Sequence, residues 1–334
     1  EMRSFPGGHA ANTAACTAFL TDRFDLGIAK PLMIILAAGI GFGRVLDQVR
    51  NETPVASAEA VEDGILTAVK DLRGRHDVTA VGVAVPGFVD EHRSRVRFTP
   101  NLPMRDRPIR ESVSSRIGLP VVVENDANAA AWGEFRFGGG RGTEDMVLIT
   151  VGTGLGGGIV TGGRLLRGAW GSAAELGHVR VVPDGDPCGC GKRGCWEQYA
   201  SGSALGRIGR RVAHAEPEKY AWLVEAAGGH PEAISGRMVS AAARQGNLLA
   251  VELIAELGQW LGAGIADVAD VLDPAVVVIG GGMSEVGDLL LEPARKAFHQ
   301  HLSAGAHRPH LSIVGAELGN DAGLIGAGDL ARTR

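Results

Sequence analysis

Three of the four cysteines lie in one run of ten residues, CGCGKRGCWE, at positions 188 to 197. Cys188 and Cys190 are separated by one residue, and cysteines so close rarely reach unstrained disulfide geometry with each other. Cys195 would then be left over as an unpaired third thiol. Cysteine thiolates are also zinc ligands, and structural zinc takes four nitrogen or sulfur ligands in a tetrahedral arrangement. The nearest upstream residue that could complete the set is His178.

His178, Cys188, Cys190 and Cys195 therefore predict a Cys3His zinc site. A set of four protein ligands leaves no open position, so the metal would be structural and not a Lewis acid. The alternative interpretation is a group of buried or redox-active thiols. Cys16, remote from the cluster in the sequence, is interpreted as an ordinary thiol.

Glycine-rich turns form a second group of candidate functional residues. Fifty of the 334 residues are glycine, which is about twice the usual share of roughly 7 per cent. They lie in short bursts such as GTGLGGG and GGGM, which favours backbone loops that approach a ligand closely. Asp126 directly follows the apolar run VVVEN. Its carboxylate is therefore expected at the carboxyl end of a strand.

The elements that must position these residues follow from hydrophobic spacing. Apolar residues recur at helical intervals after Ser57, a suitable N-cap, and again in several later segments. Dense apolar runs bounded by turns predict buried strands, and MVLITVGTGLGGGIVTG predicts a hairpin over 146–162. The later helices are predicted over 107–117, 201–214, 238–272 and 323–332.

This alternation of strands and helices predicts an α/β protein with a mostly parallel sheet. Ligands bind beyond the carboxyl ends of strands in such sheets, so Asp126, residues 150–157 and residues 280–282 are expected near one cleft. The length favours two domains. We expect a small domain over 1–122 with the C-terminal helix of about 319–334, and a large domain over 123–318 with the cysteine motif.

Composition restricts the partners and the compartment. The formal net charge of −5 gives no general attraction to nucleic acid or anionic lipid. The apolar stretch PLMIILAAGIGFG at 31–43 is shorter than the about 20 residues that span a bilayer. It also lies too far from the N-terminus for a secretory signal. The sequence therefore predicts a cytoplasmic protein, in which thiols stay reduced and cysteine clusters favour metal.

Several segments together resemble one family from about Gly43 onward. They are VGVAVPGFVD, FTPNLP, VVVENDANAAAWGE, ITVGTGLGGGIV, GSAAELGH, the cysteine motif and VVVIGGGMSE. The chain is similar to the ROK family of bacterial sugar kinases, repressors and related open reading frames, and within it to the ATP-dependent glucokinases of the actinobacterial type. The resemblance implies an actin-like ATPase (ribonuclease-H-like) fold, with two α/β domains around a cleft.

The resemblance also implies a role for individual residues. Asp126 would accept the proton of the sugar 6-hydroxyl as that oxygen attacks the γ-phosphate of ATP. ATP would be accompanied by Mg2+, and structural Zn2+ would hold His178 and Glu197 on the sugar. The implied sugar contacts are Asn101, Asn125, Asp126, Glu175, His178 and Glu197. The implied nucleotide contacts are Thr150, Gly152, Thr153, Gly154, Gly156, Gly280, Gly281 and Gly282.

The match fails near the N-terminus. Sugar kinases of this family open with a strand that ends in D-I-G-G-T-K, whose backbone holds the ATP phosphates. In DLGIAK at 25–30, Ile28 replaces the second glycine and Ala29 the threonine. The β-branched Ile28 would hinder close backbone approach to a ligand. Three explanations stay open: a degenerate but working loop, a shifted reading frame or wrong start upstream of about residue 43, and a sugar-binding relic with an impaired ATP loop.

One alternative to a glucokinase lies within the enzyme class, and another is a transcriptional regulator. Another hexose or an N-acetylhexosamine kinase would use the same residue types, and spacing does not separate these substrates. Some family members are repressors with a winged helix-turn-helix domain, but too few residues precede Ser57 for one and no basic recognition helix is evident. We therefore expect no nucleic-acid partner. Most relatives are homodimers or homotetramers, so the resemblance implies a homo-oligomer.

Overall fold

A computed structural model of the chain describes residues 14–21, 33–38, 43–309 and 311–333. Its strands are β1 (Ala14–Thr21), β2 (Met33–Ala38), β3 (Asp47–Glu52), β4 (Val78–Val85), β5 (Phe88–Val89), β6 (Val96–Phe98), β7 (Arg105–Arg107), β8 (Val121–Asn125), β9 (Met146–Val151), β10 (Leu155–Thr161), β11 (Arg164–Leu165), β12 (Val276–Gly280) and β13 (Ser312–Gly315). Its α-helices are α1 (Ala58–Arg73), α2 (Ile109–Ile117), α3 (Asp126–Phe137), α4 (Gly202–Ala215), α5 (Ala221–Ala226), α6 (Gly236–Arg244), α7 (Leu248–Leu272), α8 (Asp288–His301) and α9 (Ala322–Arg332).

Two five-stranded sheets share one topology. The first has the order β3-β2-β1-β4-β8, and the second has the order β11-β10-β9-β12-β13. In each sheet the first three strands pair antiparallel, and the last two join them in parallel. This duplicated arrangement is the actin-like ATPase fold. The prediction of a mostly parallel sheet is wrong, because two of the four pairings in each sheet belong to antiparallel hairpins.

The predicted helices and strands largely form where hydrophobic spacing indicates them. The hydroxyl of Ser57 accepts a hydrogen bond of 3.1 Å from the N–H of Ala60 and caps α1, whose apolar face is buried. The helix predicted over 238–272 is instead two helices, α6 and α7. Gly246 separates them with a φ of 87°, and the side chain of Asn247 caps α7. The sequence pattern missed this break because apolar residues continue on both sides of it.

Helix α9 returns the C-terminal end of the chain to the first sheet. It packs on β4 and β1, and it crosses α3 closely. A Cβ atom added at Gly326 would overlap the carbonyl oxygen of Ala129 in α3. The carboxylate of the buried Asp329 accepts a hydrogen bond of 2.9 Å from the Trp132 indole N–H, and this contact ties the two helices together.

Helix α7 is the central helix of the apolar core beneath the second sheet. It packs along α8 and contacts α6 and α4, and its buried leucines and isoleucines join the apolar cluster beneath the second sheet. By length and composition α7 could cross a membrane, since its most apolar stretch has a mean hydropathy of 1.4. However, 50% of that stretch is buried inside the protein. The packing therefore accounts for the apolar character of this helix.

The boundary expected between residues 122 and 123 falls within β8. This strand pairs with β4 of the first sheet from Val121 to Asn125, so a division by sheets would lie just after Asn125. The chain crosses there from the first sheet into α3. The division into two domains stays a prediction.

Candidate functional site

Asn125 and Asp126 lie where β8 ends and α3 begins. The Asn125 side chain accepts a hydrogen bond from the N–H of Asn128 at 3.0 Å and donates one to the carbonyl of Gly87 at 3.1 Å. It therefore caps the helix and fixes the strand end. Asp126 is the first residue of α3, and its carboxylate accepts the N–H of Ala127 at 2.9 Å. The positive end of the helix dipole favours the ionised form of a carboxylate in this position.

Asn101 lies in an exposed turn between β6 and β7, on the small sheet β5-β6-β7. The hydroxyl of Thr99 donates to the carbonyl of Leu102 at 2.8 Å and closes this turn. Gly87 packs against Phe98 and Thr99 so closely that a side chain would not fit there. Because Gly87 also accepts from Asn125, the turn that carries Asn101 is connected to the end of β8 through one residue.

The predicted glycine turn joins β9 and β10 at the same side of the molecule. A Cβ atom at Gly156 would lie 2.6 Å from the Thr150 hydroxyl and 3.4 Å from the Ala127 side chain, next to Asp126. The N–H of Gly152 donates to the carbonyl of Gly154 at 3.0 Å, and the N–H of Gly202 donates to the carbonyl of Gly152 at 2.7 Å. The turn is thus held on the N-terminus of α4.

The second glycine burst lies beside the first. Gly280 is the direct partner of Thr150 across the parallel pair β12 and β9. Gly281 follows with a φ of 82° and packs on the backbone of Val151, and Gly282 borders open space. Residues 150–157 and 280–282 therefore meet at the carboxyl ends of β9 and β12 in the second sheet, as the sequence predicted.

The cysteine motif folds against the segment that carries Glu175 and His178. The His178 Nδ1 atom lies 3.7 Å from the Cys188 sulfur, and the Cys190 and Cys195 sulfurs are 3.6 Å apart. The potential ligand atoms of His178 and the three cysteines all lie within 4.8 Å of one another. Sulfur atoms bound to one tetrahedral zinc at about 2.3 Å stand at closely similar separations. The four residues can hold such an ion.

Glu197 connects this cluster to the glycine turn. Its Oε1 atom accepts a hydrogen bond of 3.0 Å from the Cys188 thiol and lies 3.7 Å from the Nδ1 atom of His178. Its Oε2 atom faces the other way, since a Cβ atom at Gly154 would lie 2.9 Å from it. The carboxylate therefore stands between the cysteine motif and the glycine turn.

Two groups in this region, the Glu175 carboxyl and the Cys188 thiol, have raised pKa values. Glu175 remains open to solvent on one side, yet removal of its carboxyl from water raises its pKa. The electrostatic interaction with His178 lowers this pKa, whereas the Glu197 carboxylate raises it. Burial likewise raises the pKa of the Cys188 thiol, to about 12, and the hydrogen bond to Glu197 contributes in the same direction. A bound cation would relieve both effects.

Three charged residues near the site were missed in the sequence. Glu124 and Arg167 are buried, and the half-buried Arg93 joins them in a charged cluster next to Asn125. They lie far apart in the sequence, so their spacing carries no signal. The position of Glu124 within an otherwise apolar strand was the available indication, because a carboxylate is rarely fully buried unless it has a charged partner.

The hexamer DLGIAK lies outside the described residues, between β1 and β2 in the sequence. Of the remaining candidates, the structure groups Asn125 and Asp126 with Gly156, and it groups Glu175, His178 and Glu197 with the cysteines and Gly154. The roles of these residues toward sugar and nucleotide stay predictions.

Comparison with known proteins identifies relatives over nearly the whole length. The ROK family profile matches residues 25–334, so the similarity begins upstream of Gly43, at the first residue of DLGIAK. The glucokinase of Streptomyces coelicolor is 49% identical over 315 residues, which cover 94% of this chain and 98% of that enzyme. A putative xylose repressor of a Caldicellulosiruptor species is 32% identical over 266 residues, which cover 80% of this chain and 65% of the repressor.

The fold has a close counterpart among solved structures. The ROK family glucokinase from Streptomyces griseus, crystallised in complex with glucose and AMPPNP, superposes with a TM-score of 0.84 at 47% sequence identity. The superposition covers 96% of this chain and 100% of that one. The similarity therefore includes both sheets and the elements that carry the candidate site.

Proposed function

The chain belongs to the ROK family, and on that premise we propose that it is an ATP-dependent glucokinase, which transfers the γ-phosphoryl group of ATP to the 6-hydroxyl of D-glucose. The observation that carries the proposal is the position of Asp126. It is the first residue of α3, and the residue that follows it, Ala127, packs beside the glycine strand at Gly156. A proton acceptor next to a phosphate-binding turn is what attack by an alcohol on ATP requires.

Asp126 would act as the general base. An aspartate carboxylate is ordinarily ionised at neutral pH, so it could accept the 6-hydroxyl proton. Asn125 would hold the strand end and contact a neighbouring hydroxyl, since its amide group is already oriented by Gly87 and Asn128. Positioning contributes as much as proton transfer in such a reaction, because the reacting oxygen must lie in line with the leaving group.

The remaining sugar contacts would come from Asn101, Glu175, His178 and Glu197. Each carboxylate can accept two hydroxyl hydrogens, and a site built for hydroxyl groups discriminates strongly against analogues that lack them. The Nδ1 atom of His178 faces the cysteines, which leaves its Nε2 atom for a sugar hydroxyl. Glucose would thus lie between Asp126 and the cysteine motif.

The nucleotide would lie on the other side of Asp126. The turn at 150–157 would approach the phosphates with its backbone, and the glycines at 280–282 would admit the adenosine because they lack side chains. The Mg2+ that accompanies ATP would neutralise charge on the transferred group. Glu197, which reaches Gly154, would connect the sugar side to the phosphate side.

We further propose a structural zinc ion held by His178, Cys188, Cys190 and Cys195. The spacing of the four ligand atoms supports this assignment. The ion would fix His178 and the motif that carries Glu197, and rigid support of this kind orients binding groups. Without a metal, three thiols and a histidine would be free to change rotamers at the sugar contact.

The proposal extends to the setting in which the enzyme works. A kinase that uses ATP and glucose, and whose zinc thiolates need a reducing environment, belongs in the cytoplasm. The net charge of −5 gives no general attraction to a nucleic acid. We propose a homodimer or homotetramer, with no nucleic-acid or membrane partner.

The decisive test is Asp126→Asn, which preserves the shape of the side chain and removes the base. We expect kcat for glucose phosphorylation to fall by about 10²-fold to 10⁴-fold, with the glucose Kd changed far less. Coupled detection of glucose 6-phosphate and calorimetry with glucose measure the two quantities. Asp63→Asn, on the exposed face of α1, is the matched control. Wild-type kcat in the Asp126 variant would remove this residue from the base role.

A sugar panel separates the alternatives within the enzyme class. kcat/KM should be highest for glucose and lower for mannose, N-acetylglucosamine and N-acetylmannosamine. A higher value for an N-acetylhexosamine would reassign the substrate and keep the mechanism. Glucose binding without turnover by the wild-type chain would instead favour the sugar-binding relic.

A further inference from the structure

Glu124 is a fully buried carboxylate at the centre of the molecule. Its side chain is 1% exposed and lies in β8, one residue before Asn125. The Oε1 atom accepts the N–H of Asn125 at 3.0 Å and the side-chain amide of Asn128 at 3.3 Å. One oxygen of Glu124 therefore holds the backbone immediately before Asp126.

The other oxygen faces two arginines. The Nε atoms of Arg167 and Arg93 lie 2.9 Å and 3.0 Å from Oε2 of Glu124. Oε2 forms no well-aligned hydrogen bond, so charge attraction holds the guanidinium groups at this atom. Arg93 reaches it from the turn after β5, where its φ of 56° lies in the left-handed region. Backbone strain of this kind at a residue other than glycine persists only where the surrounding structure enforces it.

Arg167 makes this cluster a connection between the two sheets. It follows β11 of the second sheet, and its side chain is 9% exposed. Its terminal nitrogens donate to the carbonyls of Asp90 and Glu91, each at 2.8 Å. One guanidinium group thus binds a carboxylate and two carbonyls, all three on elements that adjoin the first sheet.

The same segment continues directly into the sugar contacts. The carbonyl of Arg167 accepts the N–H of Ala173 at 3.1 Å and closes a loop. Within this loop, Gly171 packs on the backbone of Val89 with a φ of 78°, in the left-handed region that favours glycine. Glu175 and His178 follow within the next few residues. The attachment of Arg167 therefore determines where Glu175 lies relative to Asn125 and Asp126.

Stability alone does not account for this arrangement. Two cations beside one buried anion leave an excess positive charge, and well-packed apolar residues often stabilise a core at least as well as buried ion pairs do. A planar guanidinium group does offer several donors in fixed directions. That property suits a joint whose geometry has to be reproduced closely.

We propose that Arg167, Glu124 and Arg93 form an intersheet clasp, and that Arg167 is a positioning residue for the phosphorylation of glucose. The clasp sets the distance between Glu175 and Asp126. Glu175 would contact the sugar from the side of the second sheet, and Asp126 would accept the proton of the sugar 6-hydroxyl beside the first sheet. This inference rests on the proposed glucokinase function. It adds residues that touch neither sugar nor nucleotide.

The test compares Arg167→Lys and Glu124→Gln with the wild-type chain. Lysine keeps the charge but presents one compact donor group, which cannot bind the carboxylate and both carbonyls together. We expect the glucose Kd and the glucose KM to rise by roughly tenfold or more, because misplacement of a contact by about 1 Å can have effects of that size. The KM for ATP should stay within about twofold of the wild-type value.

Arg97→Met is the matched control. Arg97 lies in β6, on the same hairpin as Arg93. It pairs with Glu91 at 2.7 Å and is 44% exposed, so its loss should leave the glucose Kd unchanged. The double variant Arg167→Lys/Glu124→Gln should lose little more affinity than either single variant, because both break the same joint. A purely structural role would lower Tm and the folded fraction while glucose Kd and KM stay at wild-type values, and that result would overturn the proposal.

The clasp and the kinase activity can fail separately. Calorimetry measures the glucose Kd without any turnover. A wild-type chain that binds glucose but does not phosphorylate it would contradict the kinase activity, and the clasp would then be judged on the Kd values alone. If the lysine variant does not fold, Glu124→Gln decides, and an unchanged glucose Kd in that variant contradicts the clasp.

Discussion

The carboxylate of Asp90 holds the turn from which Arg93 reaches Glu124. It accepts the N–H groups of Ser94 and Arg95 at 2.7 Å and 3.0 Å and the Ser94 hydroxyl at 2.6 Å. Burial by itself would raise the pKa of Asp90, but these hydrogen bonds outweigh it and lower the pKa below the ordinary 3.8. The folded state therefore favours the ionised form of this residue.

Asp90→Asn should consequently destabilise the protein in a pH-dependent way. A carboxyl group whose folded pKa is lowered contributes stability that is present above its unfolded pKa and lost as the pH falls through the folded one. We expect the variant to lose about 2 kcal/mol of unfolding free energy at pH 7, the scale of hydrogen bonds to a charged group. The difference from the wild type should narrow as the pH falls below 3.8.

Urea unfolding between pH 7 and pH 3 measures this difference. Asp106→Asn provides the control, since Asp106 is 79% exposed and pairs with Arg95 at the surface. Exposed pairs contribute about 0–1 kcal/mol. A loss of stability that is equally large at pH 7 and pH 3 would show that the charge of Asp90 is not its cause.

Sequence patterns predicted the site residues unevenly. Asp126 and the glycine turns stand beside strong hydrophobic runs, so their positions at strand ends followed from the pattern. Cys188, Cys190 and Cys195 lie within eight residues of one another in the chain, so their chemistry is local. Glu124 and Arg167 meet only after two sheets have packed. No periodicity of one segment encodes a contact of that kind.

At the level of elements, the crossing of α9 and α3 depends on glycine. Gly326 in α9 approaches the carbonyl of Ala129 in α3, and Gly133 in α3 approaches Ala322 in α9. Each helix therefore offers its partner a surface without side chains. These contacts join the C-terminal helix to the helix that starts with Asp126.

Gly326→Ala should separate the two helices. Alanine normally stabilises a helix by about 0.5–1 kcal/mol relative to glycine, but here the methyl group would overlap a backbone oxygen. We expect a net loss of about 2 kcal/mol of unfolding free energy, within the range for overpacking. Chemical denaturation and kcat together report the effect, because a shift of α3 also moves Asp126.

Gly305→Ala is the appropriate comparison for that variant. The nearest atom to a Cβ at Gly305 lies 3.7 Å away, an ordinary contact. Its stability should stay within about 0.5 kcal/mol of the wild-type value. Equal stability of the Gly326 and Gly305 variants would contradict the close packing of α3 and α9.

Element boundaries illustrate what spacing misses. The pattern predicted α1 and the hairpin of β9 and β10 because each has a regular period bounded by a cap or a turn. It joined α6 to α7 because apolar residues recur at helical spacing in both segments. It also overestimated the parallel share of the sheets, since the direction of a strand depends on the connection before it and not on its own residues.

At the scale of the whole molecule, the proposed zinc ion would support the sugar side. Chelation, or the substitution Cys190→Ser, should remove the metal and raise the glucose Kd by about tenfold, since the residues that support a site typically affect it on this scale. Metal analysis and calorimetry on the same samples measure both quantities. Cys16→Ser, which changes a cysteine remote from the cluster in the sequence, should alter neither. Wild-type glucose affinity in metal-free protein would contradict the support by zinc.

The hexamer DLGIAK permits a test of the ATP side, since a change there should affect the use of ATP and leave glucose binding unchanged. The family profile matches from Asp25 onward, and the resemblance aligns DLGIAK with the family's phosphate loop, from which Ile28 and Ala29 depart. Ile28→Gly with Ala29→Thr restores the family's residues at these two positions. We expect the double variant to lower the KM for ATP or raise kcat, because glycine permits closer backbone approach to phosphate.

The glucose Kd should stay unchanged in that variant, since none of the candidate sugar contacts lies within DLGIAK. Steady-state kinetics with varied ATP, together with glucose calorimetry, separates the two ligands. An increase in activity would mean that the altered loop limits the natural chain. Equal and measurable turnover in the two proteins would mean that this loop already functions as it stands, and the relic explanation would lose its basis.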